Sequence, residues 1–297
     1  MKSKIFGKLI AHLRKEQHDE CGQPYTQKRL AQEMGVSPAI ISNIERGEKA
    51  TLESDVLLRL SDALRIPRRE RREFLLAAIL TDEREIMGGN AQESLEKALD
   101  VLRTLALPAF LVDTYDNLLA VNHSILALFE YSDSLRQQAK QHFAGYNVMR
   151  FVFSQDSPFR ESILENKEPY LLQSISFFRA ITLPWRATSY YALMIAAFMT
   201  TPDMQTFRAY LARSVNGEGD ALLDDKFIVL QHARFGRLKF YSPPLTEIPN
   251  PAGNLHLVAY LPADTHTTQA FTGMAQQGYG QVTLLESFPM EGYDKFV

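Results

Sequence analysis

TQKRLAQEMGVSPAIISNIERGE, Thr26 to Glu48, decides how the first part of this chain folds. Thr26 precedes a run whose apolar members, Leu30, Ala31 and Met34, fall on one helical face. A threonine in that place accepts a hydrogen bond from a free first-turn N–H, so the spacing predicts a helix over QKRLAQEM. Gly35 ends it, because helices often close on a residue with positive φ, which glycine adopts without steric cost. Val36 follows as a core plug. Ser37 is expected to cap the next helix, and Pro38 occupies its first turn, where an N–H would have no partner in any case. Ile40, Ile41 and Ile44 then face inward. Pro38, Ala39, Ser42, Asn43 and Arg46 are left facing outward. Small and hydrogen-bonding side chains on such a face can reach base edges in a major groove.

The flanks extend the same unit. IFGKLIAHLRKE, residues 5–16, places Leu9, Ile10 and Leu13 on one helical face, and the following segment to Tyr25, with Gly22 and Pro24, reads as a loop. Beyond Gly47, SDVLLRLSDAL (Ser54–Leu64) and a Pro67-initiated stretch through Leu80 predict two further helices. The result is an all-α bundle of five helices. The arginines Arg68, Arg69, Arg71 and Arg72 read as a solvated face and part of the joint to the C-terminal part of the chain, in preference to a phosphate-binding set.

The matching positions T-Q-x-x-L-A, G-V-S and I-E-x-G make the stretch similar to the helix-turn-helix of the phage-repressor-like Xre/Cro class, over about residues 5–66. The resemblance implies double-stranded DNA as partner, with one helix crossing the backbone and the next entering the major groove. It implies a phosphate contact for Gln27. It puts Ser37, Pro38, Ala39, Ser42 and Asn43 at the reading positions, and Arg46 and Lys49 on the backbone. Pro38 and Ala39 stand where many members carry long polar side chains, so base readout leans on Ser42 and Asn43, with methyl contacts and DNA shape beside them.

At 297 residues the chain is long for one core and suits two domains. Its 45% hydrophobic and 23% charged residues are those of an ordinary globular protein. Residues 1–80 hold 15 Lys and Arg against 11 Asp and Glu, a balance of +4. The remaining 217 hold 17 against 24, a balance of −7, and the two make up the net −3. A basic small domain beside an acidic larger one fits nucleic-acid contact at one end only. The single cysteine, Cys21, excludes an intramolecular disulfide framework and a cysteine-based zinc cluster, and suits a reducing cytoplasm. The opening MKSKIFGKLIAHLRKEQ is interrupted by charge too early for a signal peptide. The longest apolar stretch, Tyr190 to Met199, is about half of a membrane span.

TDEREIMGGNAQE, Thr81 to Glu93, is polar with a Gly-Gly pair and marks a linker, dividing the chain into a DNA-binding domain (1–80), a linker (81–93) and a second domain (94–297). SLEKALDVLRTL is a helix with Leu95, Leu99 and Leu102 inward. PAFLVDTYDNLLAVN reads as a hairpin, Ala109–Val112 and Leu118–Val121 around a turn at Tyr115–Asn117. Asn122 begins a helix carrying Ile125, Leu128 and Phe129. Helices are expected at Phe159–Leu164, Glu168–Ile181, Ala187–Thr200 and Met204–Arg213. Strand patterns return in FIVLQHARF, GRLKFYSPPL and NLHLVAYLP. That order predicts an α+β domain: one five-stranded antiparallel sheet with helices against one face.

Three segments of this domain, PAFLVDTYDNLLAVNHSILALFEY, NVMRFVFS and FGRLKFYSPPLTEIPNPAGNLHLVAYLPADTHT, resemble the ligand-binding domain of MmyB-like regulators, which pair an Xre-type helix-turn-helix with a PAS-like domain. The shared motifs are P-A-x-x-V-D, L-L-A-x-N before a helix, N-x-x-R-x-x-F, and G-x-L-x-F before a final Y-x-P-x-D, across about residues 95–270. The tail after Phe271 and the aromatic, Met-rich run Phe177–Met199 depart from that pattern. The resemblance implies a sensor pocket between sheet and helices. Phe177, Phe178, Ile181, Trp185, Tyr190, Tyr191, Met194, Phe198 and Met199, with strands around Phe110, Val229, Phe240 and Val258, offer its apolar walls. His123, Arg179 and Arg186 offer polar anchors. Each of these side chains fits core filling as well as ligand contact. Such walls favour a flexible apolar molecule, for instance a fatty acid, over a nucleotide, for which no glycine-rich phosphate loop is present.

No G-x-S-x-G, P-loop or G-x-G-x-x-G occurs. The seven histidines form no H-x-x-x-H or H-E-x-x-H pair, and Asp224–Asp225 reads as a turn cap rather than an acid–base pair. No metal and no cofactor is expected, and no enzymatic activity. The sequence therefore reads as a cytoplasmic transcription regulator, homodimeric and controlled by a small apolar ligand. Its rivals are a constitutive DNA-binding protein whose second domain only dimerises and, more remotely, an enzyme tethered to DNA.

Overall fold

A computed structural model describes residues 2–48, 52–79, 90–155, 157–215, 217–218, 227–250 and 252–288. The first unit is α1 (Lys2–Glu16), α2 (Gln27–Met34), α3 (Pro38–Glu45), α4 (Ser54–Ala63) and α5 (Arg71–Ile79). Leu9, Ile10 and Leu13 of α1, Leu30, Ala31 and Met34 of α2, and Ile41 and Ile44 of α3 close on Leu57, Leu60, Leu64 and Phe74 in one core. Thr26 Oγ1 accepts the Arg29 N–H at 3.1 Å, as the helix-start pattern predicts. Gly35 has φ 65°, and Val36 N–H returns to Ala31 C=O at 3.0 Å, closing α2 and turning the chain into α3. A second glycine acts by size. A Cβ on Gly7 would stand 2.5 Å from Glu45 C=O, so α1 and α3 touch backbone to backbone there.

Two expectations for this unit need correction. Ser37 makes no side-chain cap, and α3 starts on Pro38 alone. The last helix begins at Arg71 rather than Pro67, because Glu70 N–H closes a separate turn on Pro67 C=O at 2.9 Å.

The second unit opens with α6 (Ala91–Thr104), which takes in the last three residues of the expected linker: Asn90 Oδ1 accepts the Gln92 N–H at 3.0 Å and starts the helix there. Residues 81–89, with the Gly-Gly pair, lie outside the described residues, as do Asp224 and Asp225. The single five-stranded sheet is also corrected, since two antiparallel sheets form. The first runs β6–β7–β1–β2–β9 and the second β3–β4–β5–β8. Their strands are β1 (Ala109–Val112), β2 (Leu118–Asn122), β3 (Ile163–Glu165), β4 (Ile228–His232), β5 (Gly236–Tyr241), β6 (Pro244–Ile248), β7 (Leu255–Ala259), β8 (Leu261–Pro262) and β9 (Val282–Leu284). The chain changes sheets twice at one corner, at Ser242–Pro243 between β5 and β6 and at Tyr260 between β7 and β8. Proline cannot donate to a ladder, so GRLKFYSPPL, which reads as one strand, breaks at Ser242–Pro243. The expected Phe159–Leu164 helix divides into a short helix to Ser162 and the edge strand β3, and the tail past Phe271 completes a helix and adds β9.

Every residue of β1 and β7 is buried, so the first sheet is covered on both faces rather than one. α6 lies on one side. The other helices are α7 (His123–Leu128), which packs on β1 and β2, α8 (Asp133–Ala139), α9 (Val148–Phe153), α10 (Pro158–Ser162), which packs on β3 and β4, α11 (Lys167–Thr182), α12 (Ser189–Thr200), α13 (Gln205–Val215) and α14 (Thr265–Gly278), which packs on α7, β5 and β8. Asn122 ties sheet to helix: its Oδ1 accepts the N–H of Ile125 and of Ala109, and its Nδ2 donates to Leu107 C=O. Among the described residues no helix is long and apolar enough to cross a membrane.

Candidate nucleic-acid interface and cavity

α3 stands clear of the bundle on one side. Ser37, Pro38 and Ala39 are exposed at its start, with Ser42 and Asn43 half-buried on the next turn. The outward face is therefore the predicted one, but its polar groups are already engaged. Arg46 donates to Asn43 Oδ1 at 2.7 Å and bridges Glu48 at 3.0 Å. A bidentate contact from Asn43 to a base needs both its carbonyl and its amide, so Arg46 must swing away first, toward the phosphate it is expected to meet. Gln27 Nε2 donates to Glu45 at 2.8 Å. Glu45 in turn receives Arg14 through Nε at 2.6 Å and Nη2 at 3.0 Å, with both side chains mostly buried. This Arg14–Glu45–Gln27 chain locks α1, α2 and α3 together and orients the start of α2, a role for Gln27 that its sequence pattern does not reveal. Lys49 lies outside the described residues.

A cavity of about 240 Å³ opens in the second unit. A single ordered water needs roughly 10–15 Å³ of such space, so a small ligand fits. Its walls come from the hairpin (Phe110, Leu118, Val121), α7 and its exit (Ile125, Phe129, Tyr131), α9 (Val148, Met149, Phe151, Val152), α11 (Tyr170, Gln173, Ser174, Phe177) and the sheet corner (Ser242, Val258, Tyr260), with Ile228 and Leu285. Asp116 also lines it, and so does Arg69 from the first unit. Burial and the neighbouring Asp113 charge push the Asp116 carboxyl up to about 8. Burial likewise raises the Tyr170 and Tyr260 hydroxyls.

Of the apolar residues expected to form the pocket, Phe110, Phe177 and Val258 line the cavity. The others are placed elsewhere. Ile181 and Trp185 border a separate cleft between the two units, together with Arg69, Arg72 and Glu247. Phe178, Tyr190, Tyr191, Met194 and Phe198 are buried core. α12 inserts between Asn147 and the helices behind it, where Phe198 meets Phe207 at 5.2 Å and Tyr190 accepts from Asn117 Nδ2 at 3.0 Å. Met199 is exposed. Val229 points away because strand side chains alternate and its neighbour Ile228 faces the cavity. Phe240 lies behind Tyr260, ring to ring at 4.7 Å. His123 packs on Gly278 at the far end of α14. One signal is legible in the sequence: Tyr170, Gln173, Ser174 and Phe177 follow the i, i+3, i+4, i+7 spacing of a single helical face. The hairpin and corner residues carry no comparable local pattern.

Arg179 and Arg186, expected as ligand anchors, instead join the two units. Arg179 Nε binds Glu70 Oε1 at 2.6 Å, and Arg186 Nη2 binds Glu70 Oε2 at 2.7 Å. All three side chains are buried, and Arg186 Nη1 also reaches Glu16 at 3.2 Å. Burial acts to raise the Glu16 carboxyl, but Arg186, the His12 hydrogen bond and charge, and Arg179 together outweigh it and hold the group at about 2. Beside this cluster Leu183, from the turn after α11, sits fully buried in the core of the first unit. The arginine-rich turn is thus part of the joint, as its sequence implies.

An N-terminal helix-turn-helix followed by a domain of helices and antiparallel sheets is the architecture these observations define. A family model described as helix-turn-helix, of the Xre/Cro type, matches residues 25–71, the span from the loop before α2 to the start of α5. That match implies a DNA-binding transcription regulator. Comparison with curated proteins gave no match.

Proposed function

We propose that this chain is a sequence-specific transcription regulator that reads DNA through α3 and is controlled by a small apolar ligand in its second domain. The reading takes that domain as the PAS-like sensor of MmyB-like regulators. The observation that carries it is Arg69: a residue of the DNA-binding half forms part of the cavity wall, next to Glu70 at the joint. A ligand that fits one arrangement of the two units better than another shifts DNA affinity by that difference. The protein acts in the cytoplasm and is not an enzyme. Two copies pair on a pseudo-palindromic operator. The exposed side of α12, with Ala192, Leu193, Ala196 and Met199, supports a self-association face.

The test begins with operator selection from random DNA. Asn43→Ala weakens binding to the selected operator by about 1–3 kcal/mol and leaves binding to random DNA nearly unchanged. Equal losses on both DNAs remove Asn43 from sequence reading. Organic extraction of the purified protein, followed by mass spectrometry, identifies a retained ligand. An empty extract, with no small molecule altering operator affinity, leaves a constitutive regulator.

A further inference from the structure

The cavity walls are mostly apolar, and where the hairpin turn meets them they carry a carboxyl, which has the wrong sign for a fatty acid. Asp116 belongs to the tight turn joining β1 to β2 and is 2% exposed. Its Oδ2 has no hydrogen-bond partner among the described residues. The carboxyl is held there by its backbone: Asp116 N–H donates to Asp113 C=O at 3.0 Å, and its own C=O accepts Val148 N–H at 2.9 Å. The residue adopts φ 66°, the left-handed region that few side chains tolerate. By contrast Asp113, three residues earlier, is fully satisfied by the N–H groups of Tyr115 and Asn117 and the Asn117 amide. One carboxylate of the turn builds the turn, and the other is left over on the cavity wall.

A buried acceptor without a partner carries the desolvation cost with no bond to offset it. Such groups persist where a ligand completes them. Close by, Tyr170 and Tyr260 are hydrogen-bonded to each other and to Ser174 and Ser242. Their hydroxyls are thus taken up among themselves, and Asp116 is the acceptor that remains. A ligand carboxylate at this end would face two aspartates. A protonated amine would supply donors and a compensating charge, with its chain along Phe110, Val121 and Phe177.

Building on the ligand-controlled reading, we propose that the cavity binds a lipophilic amine, its ammonium group seated on Asp116 and its chain on the apolar walls. No bond is made or broken beyond a proton: as the ammonium enters, the Asp116 carboxylic acid gives its proton to solvent. The titratable and charged groups around that site are Asp113 on the hairpin, Tyr131 beyond α7, Tyr170 on α11, Tyr260 at the sheet corner and Arg69 from the first unit. The tyrosines stay neutral, since burial raises them, so Asp116 is the group that titrates near neutrality.

The experiment is calorimetric titration of the full-length protein with octylamine, octanol and octanoate at pH 6, 7 and 8. The expected result is octylamine binding about tenfold or more tightly than octanol at pH 8, in line with a charge-assisted bond. Its affinity rises up to about tenfold per pH unit toward 8, because proton release accompanies binding, while octanol stays flat. Asp116→Asn removes both the amine preference and the pH slope but keeps octanol binding, which shows that the variant is folded. If octanoate or octanol binds as well as octylamine, the amine assignment is overturned and the ligand-controlled reading stands. If none of the three binds the wild-type protein, the cavity is not a ligand site and both fall.

Discussion

Glu70 is the residue on which the joint between the two units turns. It is 2% exposed and receives two guanidinium groups, Arg179 at 2.6 Å and Arg186 at 2.7 Å. Each is a charge-assisted hydrogen bond worth about 1.5–3 kcal/mol, which sums to roughly 3–6 kcal/mol. The cost of leaving a buried charge without its partner, about 3–5 kcal/mol, agrees with that sum. Arg186 is the sharper liability. It is 1% exposed and its Nε already lacks a partner among the described residues, so after Glu70→Ala only Glu16, at 3.2 Å, balances its charge. Glu70→Gln keeps the shape and one acceptor and costs about half as much. The control is Asp55→Ala, which breaks the exposed Arg59 pair at 3.0 Å and costs at most about 0.5 kcal/mol. Urea unfolding followed by circular dichroism measures all three variants. Glu70→Ala should lower the first transition by about 3–5 kcal/mol and raise the rate at which protease cuts between the two units. A loss within about 1 kcal/mol of the Asp55→Ala control would refute the claim that this cluster holds the units together.

Gly7→Ala forces a methyl into Glu45 C=O, 2.5 Å away, and a backbone atom cannot rotate aside. It costs about 1–3 kcal/mol from overpacking, less about 1 kcal/mol regained from alanine's helix propensity, and weakens operator binding in a gel-shift titration because α3 shifts. Asp116→Asn stabilises the protein at pH 8 and has progressively less effect down to pH 4 in thermal melts. The wild-type carboxyl holds its proton up to about 8 when folded but only to about 4 when unfolded, so wild-type stability falls as pH rises through that window. Glu16 works in the opposite sense. Its lowered value means a contribution fully present above about pH 4.5 and lost as pH falls toward 2, so Glu16→Gln flattens the acid limb of the stability profile.

The DNA-binding unit is readable because its information is local. Thr26, Gly35 and the isoleucines of α3 act within a few residues of one another, through caps, turn geometry and helical period, and a linear pattern records all three. Even there, the pattern shows Gln27 as a phosphate contact alone, since its partner Glu45 is 18 residues away and Glu45 in turn holds Arg14 across 31 residues. The second domain is legible at the level of hairpin, helices and returning strands. Its two-sheet arrangement is not, because FIVLQHARF, GRLKFYSPPL and NLHLVAYLP look alike whether they join one sheet or bend between two. Likewise an aromatic-rich helix is equally consistent with a core and a pocket. Local sequence settles which face of a helix or strand is apolar, but not what that face meets. The partner of Tyr190, Arg179 or Arg186 is set by chain segments 70 to 120 residues away. For that reason the reading helix can be found in the sequence, whereas the cavity, its unsatisfied Asp116 and the Glu70 joint exist only once distant elements have packed.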